Sequence, residues 1–332
     1  MAPTPSDSRP PVDSGSEPSA EPEFNQLPNQ LPNQLPNQLP DHTQGHTPID
    51  FVTSGPPWDA SNPSGAKSLN DRGLSDSLPD LWGIYSVWWR HFQVYRRTWL
   101  VNFLPPISEP IVYLVAFGYG FSPLVGNVNY LGQTLPYVQF LAPGMIAVGV
   151  LFQSFFEAAF GTFIRLRFQK AWQALLTAPL SFRDVFVGDW LWAATRGMIA
   201  GSLTAIVAIV AGLYPLSGLI LALPVMILGA LLFSAFGLWM AGFFNTVDQL
   251  NVPIFLVIIP MFTLCGTYFP RETLPPALER VAALLPLSAL VDLLRWPLGL
   301  PPWWPLSLLW LLLLLSLVVT LAVQRIRPLM FR

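Results

Sequence analysis

The chain has 332 residues, of which 52% are hydrophobic and only 11% are charged, and its formal net charge is −2. Soluble domains carry about a quarter charged residues, so the composition excludes an ordinary soluble protein and indicates a membrane protein. The single cysteine, Cys265, excludes an intramolecular disulfide, and no His or Cys pair has the spacing of metal ligands. We therefore expect no metal site.

The amino-terminal region, 1–78, is polar and rich in Pro, Ser, Asp and Asn. Within it the sequence NQLP occurs four times in a row between Asn25 and Pro40. A proline at every fourth position removes backbone donors and clashes with the preceding turn of a helix. We interpret this region as a disordered tail.

Residues 79–100 are predicted to form a cytoplasmic interfacial amphipathic helix. Aromatic residues recur through this segment between Arg90, His91, Arg96 and Arg97. Half-hydrated rings, and arginines that meet lipid phosphates, suit the headgroup region of a bilayer. Nucleic-acid binding is the competing interpretation of a basic aromatic segment. The adjoining apolar run argues against it, so we expect no nucleic-acid partner.

Six apolar runs follow, and each approaches the roughly 20 residues that cross the hydrocarbon core of a bilayer. The predicted spans are 104–122, 137–160, 190–213, 218–244, 252–269 and 303–324. The fold class is therefore an all-α polytopic membrane protein whose transmembrane domain occupies 101–328. The first and fifth runs are the least regular, because prolines interrupt them.

The Lys and Arg residues are concentrated in regions that six spans would place on one side of the membrane. Those regions contain Arg90, Arg96, Arg97, Arg165, Arg167, Lys170, Arg183, Arg325, Arg327 and Arg332. The opposite loops at 123–136 and 214–217 contain neither Lys nor Arg. The positive-inside rule then predicts that both termini are cytoplasmic.

Region 270–302 is too polar, and too broken by prolines, to form a span. It contains Glu272, Glu279, Asp292 and Arg295, and its short amphipathic stretches are divided by Pro286. We expect two short re-entrant helices that dip into the outer leaflet before the last span. Such backbone is tolerated next to protein or to a water-filled cavity.

Three charged residues fall within or at the edges of the first three spans: Glu109, Glu157 and Arg196. A bare charge at the bilayer centre costs at least about 2.5–3.5 kcal/mol, so such residues usually pair or face a cavity. The predicted topology places all three towards the cytoplasmic side. We expect Arg196 to pair with Glu109 or Glu157, either to fix helix packing or to act in gating or headgroup recognition.

The sequence contains no phosphate-binding loop of the G-x-x-x-x-G-K-[ST] type, no Ser/His/Asp set and no paired carboxylates in a soluble fold. We therefore expect no catalytic residues, and the energy for any active transport must come from a partner. The basic segment 162–187 has two interpretations in this context. It is a loop held inside by its positive charge, or it contains a docking helix on which an energy-supplying protein acts.

Several segments give the chain a likeness to a known family. They are the helix through Trp99, EPIVYLVAFGYG (109–120), FLAPGMIA (140–147), LLTAPLSFRDVFVGD (175–189) and FPRETLPPALERVAALLPLSALVDLLR (269–295). Over about 81–328 the chain resembles the permease subunit of an ABC-2 type exporter. EPIVYL, WAATR and LPLS with Val291 and Asp292 are most similar to the permeases of lipo-oligosaccharide exporters, the nodulation J type.

The resemblance implies a permease of the plasma (inner) membrane that contacts lipid, dimerises, usually with itself, and binds no cofactor. It implies a separate cytoplasmic ABC ATP-binding subunit, which binds ATP and Mg²⁺ and docks between the second and third spans. The expected coupling residues there are Arg165, Arg167, Gln169, Lys170, Trp172 and Gln173. The implied activity is outward transport of a lipo-oligosaccharide or another lipid-linked or amphiphilic substrate.

Three alternatives remain open. Within the family, the substrate is a hydrophobic drug or a polysaccharide. Outside it, the chain is a membrane-embedded enzyme acting on lipid-linked sugars, which requires a cluster of acids or histidines near one interface. A non-transporting membrane scaffold is the third alternative, and it predicts that no ATPase co-purifies with the chain.

Overall fold

The structure is a computed structural model that describes residues 80–330, without the side chains of residues 101, 105–107, 109, 110, 114 and 119. The predicted disordered tail, 1–78, lies outside the described residues. Within the described part the α-helices are α1 (Leu81–Arg97), α2 (Trp99–Val115), α3 (Ser122–Val125), α4 (Tyr137–Phe156), α5 (Ala171–Leu176), α6 (Phe182–Val210), α7 (Leu216–Ala241), α8 (Asn251–Pro253), α9 (Ile259–Leu264), α10 (Pro276–Leu284), α11 (Pro286–Leu294) and α12 (Trp304–Met330).

Helix α1 is the segment predicted to be interfacial. Its first turn is capped by Asp80, whose side chain accepts a hydrogen bond from the Trp82 backbone N–H. Every fourth residue from this point is buried, which defines one face of the helix: Gly83, Val87, His91 and Tyr95. This face packs on α6, and α1 ends in two arginines before α2 begins at Trp99. A position at the membrane interface stays a prediction.

Four continuous helical stretches are long and apolar enough to cross a bilayer. They are Tyr137–Phe168, Phe182–Val210, Leu216–Ala241 and Trp304–Met330. They contain or overlap the second, third, fourth and sixth predicted spans. The first of them extends past α4 through the π-helical segments Glu157–Gly161 and Ile164–Phe168, so helix continues well into the segment predicted as a loop.

The other two predicted spans are shorter in the structure. The run at 104–122 lies in α2, a π-helical turn, Ala116–Phe121, and the first residue of α3, and the apolar helix that overlaps it is Ile111–Val125. The run at 252–269 ends as a helix at Leu264, and the apolar helix Asp248–Leu264 is about 25 Å long at 1.5 Å per residue. Prolines interrupt both runs. Crossing of the membrane by these two segments, and hence a total of six spans, stays a prediction.

Helix α4 forms the centre of the domain and packs against α6, α7 and α11. Close approach depends on small residues, as is usual for helices that pack within a membrane. A Cβ atom at Gly197 of α6 would collide with Ser154 of α4. At Gly237 of α7, a Cβ atom would lie 2.6 Å from the Phe155 carbonyl oxygen. These contacts fix the distances between the three central helices.

Helix α12 covers this core with one face only. Leu311, Ala322 and Ile326 are buried, whereas several other leucines along the helix are about half exposed or more: Leu306, Leu309, Leu312, Leu313 and Leu317. The helix is long and apolar enough to cross a bilayer. An exposed apolar face of this length is the surface that a lipid bilayer would cover.

Two features surround the end of the domain where α4 begins. The loop predicted at 123–136 contains an antiparallel hairpin of β1 (Asn127–Tyr130) and β2 (Gln133–Pro136). Its turn residues, Leu131 and Gly132, both have positive φ angles, which match the twist of a tight hairpin. Helices α10 and α11 are the two short helices expected around Pro286, and the extended residue Leu285 separates them. Their entry into the outer leaflet stays a prediction.

Candidate functional site

Five charged or titratable side chains meet where α1, α4, α5 and α6 converge: His91, Glu157, Arg165, Asp189 and Arg196. We refer to these five residues as the charge cluster. They come from three separate parts of the sequence, so only the packing of α1 on α6 and of α4 on α6 brings them together. A neighbouring cavity of about 330 Å³ is lined by four of them and by Tyr95 and Trp192, among others.

Asp189 of α6 is the centre of the charge cluster and is fully buried. Its Oδ1 lies 2.8 Å from Arg165 Nη2 and 3.1 Å from His91 Nε2. Its Oδ2 accepts hydrogen bonds from Thr162 Oγ1 at 2.9 Å and from Trp172 Nε1 at 3.1 Å. The Asp189 carboxylate of α6 therefore contacts three other elements: α1, the end of the long helix that begins with α4, and the short helix α5.

Glu157 connects the two arginines of the charge cluster. Arg165 Nη1 donates to its Oε1 at 2.9 Å, and Arg196 Nη1 donates to its Oε2 at 3.1 Å. The Trp192 indole also donates to Oε1, at 3.1 Å. Of the two partners that the sequence left open for Arg196, the structure brings it to Glu157. The side chain of the other, Glu109, lies outside the described residues.

In the charge cluster the two guanidinium groups of Arg165 and Arg196 face the two carboxylates of Glu157 and Asp189. The Arg196 guanidinium also lies 5.1 Å from the centre of the Tyr95 ring, and burial raises the pKa of that phenol above its usual value. Buried charges are tolerated only when they are paired and hydrogen-bonded. The arrangement therefore favours one fixed geometry of α1, α4, α5 and α6.

Two of the six residues expected on the docking surface are turned inward. Trp172 is 1% exposed, and the Arg165 side chain is 13% exposed because both are bonded to Asp189. Both were predicted as coupling residues; that role stays a prediction, but in the structure both side chains face inward to Asp189. The physical reason is that Asp189 is buried, and a buried carboxylate needs donors and a counter-charge from within the protein.

The remaining docking residues lie nearer the surface. Gln169, Lys170 and Gln173 are exposed, and Arg167 is half-buried, with Nη2 3.5 Å from the Phe244 carbonyl oxygen. Phe168 is 64% exposed beside them. Together these residues form a mixed polar and apolar surface around α5.

A second group of predicted residues lies at the other end of α12, around α10 and α11. Arg271 Nη2 lies 2.7 Å and 2.6 Å from the two carboxylate oxygens of Asp292. Arg295 is buried, stacks on the Phe140 ring at 3.8 Å and donates to the Gly266 carbonyl oxygen. Arg295 therefore connects the end of α11 to the start of α4, and its contacts are those of a residue that stabilises the packing. Glu272 is exposed, and Glu279 is half-buried.

Sequence reasoning missed the central position of Asp189, and it found no partner for His91. A usable signal was present within α6. Asp189, Trp192 and Arg196 are spaced by three and four residues, so they share one face of a helix. The partners on α1 and on the π-helical segment required knowledge of the packing.

Comparisons with known proteins find a matching family model and several relatives of this chain. A family model described as ABC-2 type transporter matches residues 83–299, a range that contains the charge cluster and α10 and α11. Nodulation protein J of Rhizobium leguminosarum bv. viciae is 34% identical over 210 residues, which are 63% of this chain and 80% of that protein. Nodulation protein J of Neorhizobium galegae is 34% identical over 225 residues, 68% of this chain and 84% of that protein. The inner membrane transport permease YadH of Escherichia coli K12 is 24% identical over 211 residues, 64% of this chain and 80% of that protein.

Proposed function

Because the chain belongs to the ABC-2 type transporter family, we propose that it exports a lipo-oligosaccharide or another lipid-linked amphiphile from the cytoplasmic side outward. The chain is a transport permease, a multi-pass subunit of the inner membrane. An ABC ATP-binding protein is the general partner of such permeases. The proposed complex contains two copies of this chain with both termini in the cytoplasm, and ATP and Mg²⁺ bind only to the partner.

The bond between Trp172 and Asp189 is the observation that carries the proposed mechanism. Trp172 lies on α5, the short helix on which Gln173 and Ala174 are exposed. Its indole Nε1 donates a hydrogen bond to Oδ2 of the buried Asp189 on α6 at 3.1 Å. A force applied to the surface of α5 is therefore delivered to a helix that is long enough to cross the bilayer.

From Asp189, a movement of α5 is passed through the charge cluster to α1 and to the long helix that begins with α4. Arg165 and Glu157 belong to the long helix of α4, and His91 belongs to α1. Removing one partner of a buried ion pair costs about 3–5 kcal/mol, so the helices move together more readily than they separate. We propose that the exposed Gln169, Lys170 and Gln173 receive the partner, and that Arg165 and Trp172 transmit its movement.

The experiment is reconstitution of the full chain with its ABC ATP-binding subunit in lipid vesicles. Parent protein is expected to co-purify with that subunit and to translocate an acylated oligosaccharide when ATP is supplied. In W172F the subunit still binds and hydrolyses ATP, but transport per ATP falls severalfold, since the link to Asp189 is lost. Trp82→Phe is the matched control, because Trp82 is 69% exposed on α1.

Two results would count against the proposal. If no ATP-binding subunit co-purifies in repeated preparations, a non-transporting membrane scaffold or a membrane-embedded enzyme becomes the better explanation. If W172F transports as efficiently per ATP as W82F, α5 does not transmit movement through Asp189.

A further inference from the structure

A cavity of about 450 Å³ lies between α10, α11 and the first turns of α12. Its size falls within the range of small-molecule sites, roughly 300–1,000 Å³. It lies at the start of α12, whereas Ala322 and Ile326 near the other end of that helix belong to the same buried cluster as Trp172. We call this cavity the tryptophan pocket, and its charged and aromatic lining residues are Arg271, Glu272, Glu279, Asp292, Trp303 and Trp310.

The indole N–H groups of the tryptophan pocket already have partners within the protein. Trp303 Nε1 donates to Asp292 Oδ2 at 3.2 Å, and Trp310 Nε1 donates to the Leu284 carbonyl oxygen at 3.0 Å. These bonds fix the orientation of the two rings. What the indoles can offer a ligand is therefore their aromatic surface, which carries partial negative charge and attracts cations.

Carboxylates outnumber cationic groups in the lining of the tryptophan pocket. Arg271 is compensated by the two short contacts of its Nη2 with Asp292. Glu272 and Glu279 line the same cavity, and no ion pair joins either of them to another residue in the described part of the chain. Three carboxylates thus face one guanidinium, and the surplus negative charge lies next to the aromatic surfaces.

The rest of the wall is apolar, and it comes from Ala283, Leu284, Ala289 and Leu306. A ligand that suits these surfaces has a positively charged group to place between carboxylates and indoles, and an apolar body to place against the aliphatic wall. Carboxylates together with indole faces are a general means of holding ammonium groups. Anionic headgroups are disfavoured, because they would meet Glu272 and Glu279.

We propose that the tryptophan pocket binds the ammonium group of an amphiphile. Binding at this pocket depends on the chain alone and not on ATP or export. The same ammonium chemistry occurs in amine-bearing bilayer lipids and in other cationic amphiphiles. The experiment therefore has two parts. One part compares ammonium with sugar headgroups, and the other distinguishes a bilayer lipid from another cationic amphiphile.

The full-length protein is placed in phosphatidylglycerol nanodiscs with an alkyl-trimethylammonium probe that carries a photoreactive diazirine. Crosslinks are then located by mass spectrometry of the peptides from 271–310. Dodecyltrimethylammonium is expected to displace the probe at about tenfold lower concentration than dodecyl glucoside, and E272Q/E279Q is expected to reduce labelling about tenfold. The matched control is D248N, which removes an exposed carboxylate elsewhere in the chain.

Equal competition by the glucoside would overturn the proposal, and so would parental labelling of E272Q/E279Q. If the double variant fails to fold, the competition series on the parent protein still decides between ammonium and sugar headgroups. Nanodiscs that also contain phosphatidylethanolamine distinguish the source. Loss of labelling there supports a bilayer lipid as occupant, and retained labelling supports another cationic amphiphile.

Discussion

Replacing Asp189 by Asn is the sharpest test of the charge cluster. The substitution keeps the size of the side chain but removes the charge that faces Arg165 at 2.8 Å and His91 at 3.1 Å. Breaking a buried ion pair by removing one partner costs about 3–5 kcal/mol. For a domain of this size each kcal/mol shifts the unfolding temperature by about 2–4 °C. We therefore expect the unfolding temperature of D189N to fall by roughly 6–20 °C.

The chain provides its own probe for this measurement. Cys265 is its single cysteine and is fully buried, so a thiol-reactive fluorophore reports unfolding as the protein is heated in detergent. Scan rate is held constant, because membrane proteins often unfold irreversibly. D248N is the matched control, since Asp248 is exposed, and its unfolding temperature should stay close to that of the parent.

A second variant separates the ion pair from a general loss of packing. R165Q/D189N removes both charges, while Glu157 keeps its contact with Arg196 at 3.1 Å. Contacting residues couple by about 0.5–3 kcal/mol, so the double variant should be more stable than the sum of the two single losses predicts. Strictly additive losses, or a D189N protein as stable as D248N, would refute a stabilising ion pair at this position.

Two further predictions concern packing at other places in the domain. R295K should increase the rate of Cys265 labelling at temperatures where the protein stays folded. The reason is that Lys cannot both stack on Phe140 and hydrogen-bond to Gly266 as the guanidinium does. Labelling of R295K at the parental rate would contradict this prediction. G197A should lower the unfolding temperature by an amount equivalent to about 1–3 kcal/mol, because the added methyl group overpacks against Ser154. The double variant S154G/G197A should recover much of the lost unfolding temperature. No recovery would show that these two residues do not define the contact.

The long apolar helices were predictable because burial in lipid and burial in protein both demand continuous apolar sequence. The runs at 190–213, 218–244 and 303–324 correspond to α6, α7 and α12 within a few residues at most boundaries. Helix α6 begins at Phe182, before the predicted run. Its first turn is polar but helical, since Ser181 and Asp184 form a reciprocal capping box that a search for apolar runs does not detect.

The hairpin β1–β2 could not be read from periodicity, since each strand has four residues and the turn lacks the Asn-Gly pair that usually marks a tight hairpin. Its stability depends on contacts distant in sequence. Tyr130 packs on Phe140, and the Arg295 guanidinium lies 5.3 Å from the Tyr130 ring centre. Burial raises the pKa of that phenol. A strand that is stabilised mainly by distant partners leaves little local signal.

The inward orientation of Arg165 was unpredictable for a different reason. The sequence indicated a loop from residue 162, whereas the helix continues to Phe168 with two π-helical segments. A π-helical turn contains an additional residue, so the residues after it rotate around the helix axis relative to an α-helical register. The rotation directs Arg165 towards Asp189 and leaves Ile164 and Phe168 exposed.

The cations of the segment between α4 and α6 therefore serve different purposes, although the positive-inside rule counts them alike. Arg165 is neutralised by Glu157 and Asp189 inside the protein, so it cannot attract an acidic partner or a lipid phosphate. Lys170 is exposed at the start of α5 and retains that ability. Reversing the charge of Lys170 should then weaken partner docking while the fold persists, whereas reversing Arg165 should unfold this end of the domain. A docking defect in both variants with unchanged unfolding temperatures would mean that Arg165 leaves the charge cluster when the partner binds.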